Sequence, residues 1–219
     1  MGGSVKYGDD IAGARVKEYV CNSLEEVLEL PSMDLSKGRI SEVLSECKKL
    51  REEGKEVVLQ ISGPFTILNI LIDPKYVFRG MRKTPELIEQ IYDKIKINLL
   101  RYVDEAVQYG VEIISYADSA GGVNILGPKV AEQVIESFTY PFLKEVEKKN
   151  VMTLLCPKTT FALLDTGKAK FVDIELEESM YYGEACLTMK RDVKFAGQTC
   201  IKNTSYRLEN KLFKKVELL

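Results

Sequence analysis

The stretch VMTLLCPKTTFALLDTG, at residues 151–167, contains one complete transition from a strand to a helix. Its first six residues form an apolar run of the length of a buried strand, and the run ends at Cys156 and Pro157. The residues TTFALLDTG then follow the pattern of a short helix that Gly167 ends. A buried strand that leads directly into a helix is typical of a parallel α/β protein, so this stretch predicts the fold class.

The same unit recurs on both sides of this stretch. Each predicted strand is short and apolar, and most are followed by an amphipathic helix. The strands are predicted at 56–65, 111–122 with its loop, 151–156, 171–178 and 193–200, and the helices at 84–110, 127–150, 159–167 and 179–190. Five such units in a row predict a parallel sheet with right-handed crossovers. Pro141 predicts a kink or a break in the helix that contains it.

The segments outside these units predict three further elements: a hairpin within residues 1–20, a helix at 34–54 and a final strand at 212–219. The βα units occupy residues 56–200, and the sequence shows no internal repeat, low-complexity tract or linker. Residues 1–219 are therefore predicted to form a single domain.

Composition excludes several classes of function. The formal net charge is -2 and the pI is about 5.5, so there is no basic field to attract nucleic acid. The apolar runs are too short to span a bilayer, and the first residues lack the pattern of a signal peptide. Five cysteines without close pairing indicate a cytoplasmic protein with reduced thiols. Because the chain has no histidine, nucleophilic mechanisms that need a histidine base are excluded.

In parallel α/β proteins, functional side chains gather at the C-terminal ends of the strands. We call this edge of the sheet the rim. The predicted strand ends place these residues at the rim: Gly63, Pro64, Phe65 and Thr66, then Asp118 and Ser119, Cys156, Glu175, and the segment 197–200. We expect Gly63, Thr66 and Ser119 to contact a ligand, with glycine allowing the backbone to come close. The alternative is that residues 62–66 form a plain turn that ends the strand.

Each of the other rim residues has two interpretations. Cys156 and Cys200 would bind a metal ion together, or Cys156 is inert and Cys200 is a small core residue. Asp118 would hold a substrate or a metal-bound group, or it caps its own loop. Glu175 shares a strand face with Asp173, and this face is either the interior of a barrel, where Glu175 would be catalytic, or a solvated edge.

Several of these segments resemble the uroporphyrinogen decarboxylase superfamily, which includes the methylcobamide:coenzyme M methyltransferases and other corrinoid-linked methyltransferases. SGPFT (62–66) resembles the Gly-Pro-Phe-Thr turn of the family, and residues 116–146 resemble its Asp-containing loop and following helix. LLCPKTTFALLDTGKAKFVDIE (154–175) resembles its His-x-Cys-Gly segment, and FAGQTC (195–200) resembles the segment after it.

The resemblance implies a (β/α)₈ barrel, which usually needs roughly 250 residues. The first barrel strand, the closing units and the Arg-rich segment that grips a tetrapyrrole have no counterpart here. We therefore expect an incomplete barrel of about five to seven strands, and we disfavour uroporphyrinogen decarboxylation. Since open sheet edges need cover, we also expect a homo-oligomer or a partner subunit.

In the methyltransferase branch, the resemblance implies a zinc ion that activates a thiol. The thiolate then takes a methyl group from a corrinoid (cobalamin) that a partner protein carries. Cys156 matches the family cysteine, but Leu154 stands in the position of the histidine. Cys200 lies where relatives tend to have an acidic residue. The first hypothesis is thus a corrinoid-linked methyltransferase with a corrinoid protein or a small thiol as substrate. The alternative is a non-catalytic accessory member that binds a small ligand or a corrinoid protein.

Overall fold

A computed structural model describes residues 4–6 and 15–219 of the chain. Its main element is a six-stranded sheet, and a separate antiparallel pair precedes it. The pair consists of β1 (Ser4–Lys6) and β2 (Arg15–Glu18), while residues 7–14, the predicted turn between them, lie outside the described part. The sheet is formed by β3 (Val58–Ser62), β4 (Ile113–Ala117), β5 (Met152–Leu155), β6 (Ala169–Glu175), β7 (Phe195–Ala196) and β8 (Leu212–Leu218).

Helices connect the strands as the periodicity predicts. They are α1 (Leu24–Glu29), α2 (Gly38–Glu52), α3 (Pro64–Leu71), α4 (Pro74–Lys83), α5 (Pro85–Gln108), α6 (Val123–Leu126), α7 (Pro128–Val134), α8 (Tyr140–Glu147), α9 (Pro157–Asp165) and α10 (Tyr182–Met189). The predicted break near Pro141 is a π-helical turn, Ile135–Thr139, between α7 and α8. Among the described residues, no helix combines the length and apolarity needed to cross a membrane.

The strand order of the sheet is β3-β4-β5-β7-β8-β6. β3, β4, β5 and β7 run parallel, which confirms an α/β fold of incomplete barrel type. β6 runs in the same direction as these four strands, as predicted, but the prediction of an unbroken parallel sheet was wrong at β8. β8 lies antiparallel between β7 and β6, and β6 therefore forms an edge of the sheet.

Side-chain chemistry explains the position of β6. β5 is buried along its whole length, as a central parallel strand must be. β6 instead carries three exposed charged residues, Lys170, Asp173 and Glu175, and the last two share one face. A strand with one solvated face suits the edge of a sheet and an antiparallel partner. As a result β7 becomes the direct neighbour of β5, with Leu154 opposite Ala196.

The sheet has two differently covered faces. The helix face packs against α3, α5, α8 and α9 through side chains that include Leu59, Ile61, Ile114 and Leu155. The opposite face, here called the inner face, carries Ile113, Met152, Leu154 and Ala196. Helix α10 covers the inner face with Tyr182, Ala185 and Cys186, and the C-terminal segment adds Leu208 and Phe213. The surface that would line the interior of a closed barrel is thus partly filled by the chain itself.

An ion cluster fixes α10 to the N-terminal end of the sheet. Lys190, just after α10, contacts Glu56 Oε1 at 2.7 Å and Glu112 Oε2 at 2.8 Å. Arg51, from α2, contacts the same two carboxylates at 2.9 and 2.7 Å. The hydrogen bond from Lys190 is the largest cause that holds the pKa of Glu112 below its usual value.

We predict that Glu112→Gln lowers the free energy of unfolding by about 1–2 kcal/mol at pH 7, because two charged hydrogen bonds lose their anionic acceptor. The folded pKa of Glu112 is below its unfolded value, so its contribution is present above that unfolded value. The contribution is lost as the pH falls through the folded pKa. Urea unfolding of both proteins from pH 7 to pH 3 should show the difference shrinking.

Glu46→Gln is the matched control for this experiment. Glu46 makes a 3.8 Å ion pair with Lys49 on an exposed helix surface, so its loss should change stability by less than about 0.5 kcal/mol at any pH. Equal effects of the two substitutions would contradict the assignment of a stabilising cluster.

Candidate functional site

Four segments meet at the rim of the parallel strands. They are the start of α3 after β3, the loop 118–122 after β4, the start of α9 after β5, and the segment 197–200 after β7. Because β3, β4, β5 and β7 are neighbours with matched register, their C-terminal ends lie on the same edge of the sheet. Four of the five predicted rim segments are therefore neighbours, while β6 ends on the same side of the sheet but beyond β8.

Asp118 is the best-connected side chain of the rim. It is buried, and its carboxylate accepts hydrogen bonds from the backbone N–H of Phe65 at 3.1 Å and of Thr66 at 2.7 Å. The Thr66 hydroxyl donates a third bond at 2.7 Å. Burial raises the pKa of Asp118, and these hydrogen bonds oppose that shift. The carboxylate thus caps α3, which follows the neighbouring strand, and a backbone hydrogen bond from Gly121 of its own loop also opposes the rise of its pKa.

Two glycines permit this close approach. A Cβ atom on Gly63 would lie 2.4 Å from Asp118 Cβ, and one on Gly121 would lie 2.4 Å from Asp118 Oδ2. Either contact is closer than real Cβ atoms come, so a side chain at these positions would displace the carboxylate. The glycine predicted to admit a ligand at position 63 therefore admits the Asp118 side chain.

Thr66 and Ser119 present hydroxyl groups beside Asp118. The Thr66 Oγ1 atom lies 3.5 Å from Ser119 Oγ and also accepts a hydrogen bond from the Ala120 N–H at 3.2 Å. Ser119 is exposed and Thr66 half-buried. The hydroxyl of Ser119 is thus open to a ligand, while that of Thr66 is held in place by Asp118.

Cys156 lies at the start of α9 and is half-buried. Its N–H donates to the Tyr116 carbonyl at 2.9 Å, and its own carbonyl accepts from the Thr160 N–H at 2.9 Å. Lys158, two residues on, reaches the loop after β4, since a Cβ atom on Gly122 would meet Lys158 Cδ at 3.3 Å. Cys156 is therefore in the segment next to the Asp118 loop.

Cys200 is half-buried at the start of a short 3₁₀ turn, Ile201–Asn203. It lies near Tyr182 of α10, on the inner face. Burial raises the pKa of Tyr182 above its usual value, and the thiols of Cys186 and Cys200 add to this shift. Gly197, by contrast, packs against the start of α9, because its Cβ would lie 2.1 Å from Thr160 Oγ1.

The described side chains do not form a complete zinc site. In the described part of the chain, no group of three or more His, Cys, Asp or Glu side chains is placed to hold a metal ion. Catalytic zinc usually takes three protein ligands. Cys156 and Cys200 end neighbouring strands, and their joint role as ligands stays a prediction.

Glu175 is separated from the other rim residues. It ends β6 at the edge of the sheet, with β8 and β7 between it and Cys156. Its side chain is exposed, and Asp173 on the same face pairs with Lys214 at 2.7 Å. This is the solvated-edge interpretation of the two that the sequence left open.

One rim-facing group was missed by sequence reasoning. The buried Tyr116 hydroxyl would lie 2.7 Å from a Cβ atom on Gly63, directly beside Asp118. Burial raises the pKa of Tyr116 well above its usual value. A tyrosine within a buried strand looks like ordinary core in the sequence, so no signal there marked it.

We predict that Thr66→Val lowers the free energy of unfolding by about 1.5–3 kcal/mol, because a hydrogen bond to the buried carboxylate is removed. Thr66→Ser keeps the hydroxyl and should cost less than about 1 kcal/mol. Urea unfolding at pH 7 measures both. Equal stabilities for the two variants would show that the Thr66 hydroxyl does not support Asp118.

Comparison with known proteins agrees with this architecture. The family model described as Uroporphyrinogen decarboxylase (URO-D) matches residues 1–198. A solved structure of a methyltransferase from Methanosarcina mazei superposes with a TM-score of 0.61 over 76% of this chain and 51% of that chain. At 22% identity, this second likeness supports the fold alone.

Two curated relatives carry different activities in their names. A methylcobamide:CoM methyltransferase, MtaA, of Methanosarcina barkeri is 27% identical over 154 residues, which cover 69% of this chain and 45% of the relative. A uroporphyrinogen decarboxylase of Geotalea daltonii is 25% identical over 176 residues, 75% of this chain and 50% of the relative. The chain spans about half the length of these relatives. Since the family model covers nearly the whole chain, the chain belongs to the uroporphyrinogen decarboxylase (URO-D) family.

Proposed function

We propose that this chain is a methyltransferase of the URO-D family that moves a methyl group from a corrinoid to a thiol. The observation that carries the proposal is its similarity to the methylcobamide:CoM methyltransferase of Methanosarcina barkeri over 154 residues. The corrinoid would be a substrate presented by a partner protein in the cytoplasm. Coenzyme M or a similar small thiol would be the acceptor.

The rim offers groups that can position such an acceptor. The exposed Ser119 hydroxyl belongs to the loop after β4, and the charged Lys158 side chain comes close to Gly122 of the same loop. Both can bind polar or anionic parts of a small molecule. Asp118 is a positioning residue in this arrangement, because its buried carboxylate is fully engaged with α3 and keeps Thr66 at the rim.

Transfer of a methyl group from cobalt to sulfur breaks the Co–C bond and forms an S–C bond, while the thiol loses its proton. The thiolate is the nucleophilic form, so the site must favour deprotonation. The positive end of α9 and the Lys158 ammonium are the local features that stabilise an anion near Cys156. Zinc would be the activator that the resemblance implies, yet no third His, Cys, Asp or Glu of the described residues is placed to complete a site with the proposed ligands Cys156 and Cys200.

The missing third ligand favours a second candidate function. An accessory member of the family would bind the corrinoid protein or a small ligand at the same rim without turning it over. The chain has no histidine, and Leu154, where the resemblance expects one, is buried in the core of the inner face. The two functions differ in whether a metal and a methyl product are found.

We predict that the protein purified under reducing conditions transfers methyl groups from methylcobalamin to coenzyme M, and that Cys156→Ser lowers the rate at least tenfold. Loss of the methylcobalamin absorbance measures the rate, and elemental analysis measures bound zinc in the same samples. If both thiols are ligands, the Cys200→Ser variant and the Cys156→Ser variant should each lose the bound zinc. Cys47→Ala, at a buried position in α2, is the control and should change neither quantity.

The two functions then give different results. Stoichiometric zinc that is lost in both rim variants, with methyl transfer in the parent, supports the methyltransferase. A folded, zinc-free parent without transfer that still binds methylcobalamin or a corrinoid protein supports the accessory function and overturns the first proposal.

A further inference from the structure

Strand β3 ends the sheet with one side unpaired in the described part of the chain. Its partner on the other side is β4, with Gln60 opposite Ser115. The bond from the Gly63 N–H to the Ala117 carbonyl shows which residues of the strand point toward β4. Because backbone groups alternate in direction along a strand, Leu59 and Ile61 also point toward β4. The N–H and C=O groups of Val58, Gln60 and Ser62 therefore point outward from the sheet.

This edge lacks the features that prevent strand pairing. Natural edges are usually blunted by charges, proline or a bulge. The β3 sequence VLQIS has no charged residue or proline, and its register with β4 is regular. The opposite edge of the sheet, β6, carries Lys170, Asp173 and Glu175 and is protected in this way. Of the two edges, β6 is therefore protected against pairing with another strand, and β3 is not.

An apolar groove adjoins the β3 edge on the inner face. It has a volume of about 440 Å³ and lies between the sheet and α10. Val58 and Leu187 line it, and each is 40% exposed. The unpaired backbone and the uncovered apolar side chains therefore occur at the same place.

We propose that β3 pairs with β3 of a second copy of this chain, antiparallel and across a two-fold axis at Gln60. A closed two-fold contact between identical edge strands is isologous, and it makes the strands antiparallel. Closing a barrel from two copies is not available, because β8 already occupies the free side of β7 and α10 covers the inner face. β3 is then the one uncharged edge of the described sheet.

The register at Gln60 uses all the outward groups. It places Gln60 opposite Gln60 of the partner subunit, and Val58 opposite Ser62 of the partner subunit. The outward residues of each copy then exchange N–H···O bonds with outward residues of the other. No two like charges face each other along the strand, and the two grooves lie side by side on one surface.

The test is the mass of the 219-residue protein in solution, by light scattering after gel filtration and by sedimentation. We expect the parent to have twice the monomer mass of 24.8 kDa. Gln60→Lys and Gln60→Glu place like charges across the axis, and each should weaken dimerisation by about tenfold or more. A mixture of the two variants should dimerise again, because opposite charges then meet at the axis.

Two further variants keep the test decisive. Gln60→Pro removes an outward N–H and leaves the bonds to β4 intact, so it should yield a folded monomer. Gln133→Lys makes the same charge change on an exposed position of α7 and should remain a dimer. A monomeric parent at every concentration overturns the proposal. A dimer that Gln60→Lys and Gln60→Pro leave unchanged, or a variant mixture that stays monomeric, overturns it as well.

Discussion

A carboxylate that leaves water must have its charge stabilised by hydrogen bonds, and Asp118 meets this requirement through α3. Two backbone N–H groups at the start of the helix and the Thr66 hydroxyl surround its oxygens. This set of bonds ties the end of β4 to the helix that follows β3. It also explains why glycine stands at positions 63 and 121, since a side chain at either place would occupy the space of the carboxylate. The arrangement of the first half of the rim depends on this one contact.

The order and type of most elements could be predicted from the sequence, because hydrophobic periodicity reflects burial directly. The strand and helix at 151–167 and the break before Pro141 are examples. The position of β6 could not be predicted, since its place depends on β8, which is more than thirty residues further along the chain. Charges at 173 and 175 left open whether their shared face lines a barrel or meets solvent, because pairing across the sheet is a property of the whole fold.

For the candidate site too, the sequence predicted some features and not others. Strand ends correctly located the segments that meet at the rim, because parallel strands end on one side. The partners of each side chain were beyond sequence reasoning. The sequence left Asp118 either as a cap of its own loop or as a ligand-binding group, and it gave no sign of the bonds to a helix 52 residues earlier. Tyr116 escaped notice since burial of an aromatic residue needs no special explanation, and the place of its hydroxyl beside Gly63 is visible only in the folded chain.

Helix α10 has a consequence for how any substrate reaches this protein. In a closed barrel the active site lies at the C-terminal end of the strands, where the surrounding loops shield it from water. Here α10 and the C-terminal segment cover part of the inner face, and Ser119 at the rim is exposed. A reactive group at an exposed rim meets bulk solvent unless a second molecule covers it. For the methyl transfer proposed above, the corrinoid protein would therefore have to exclude water from the rim when it binds.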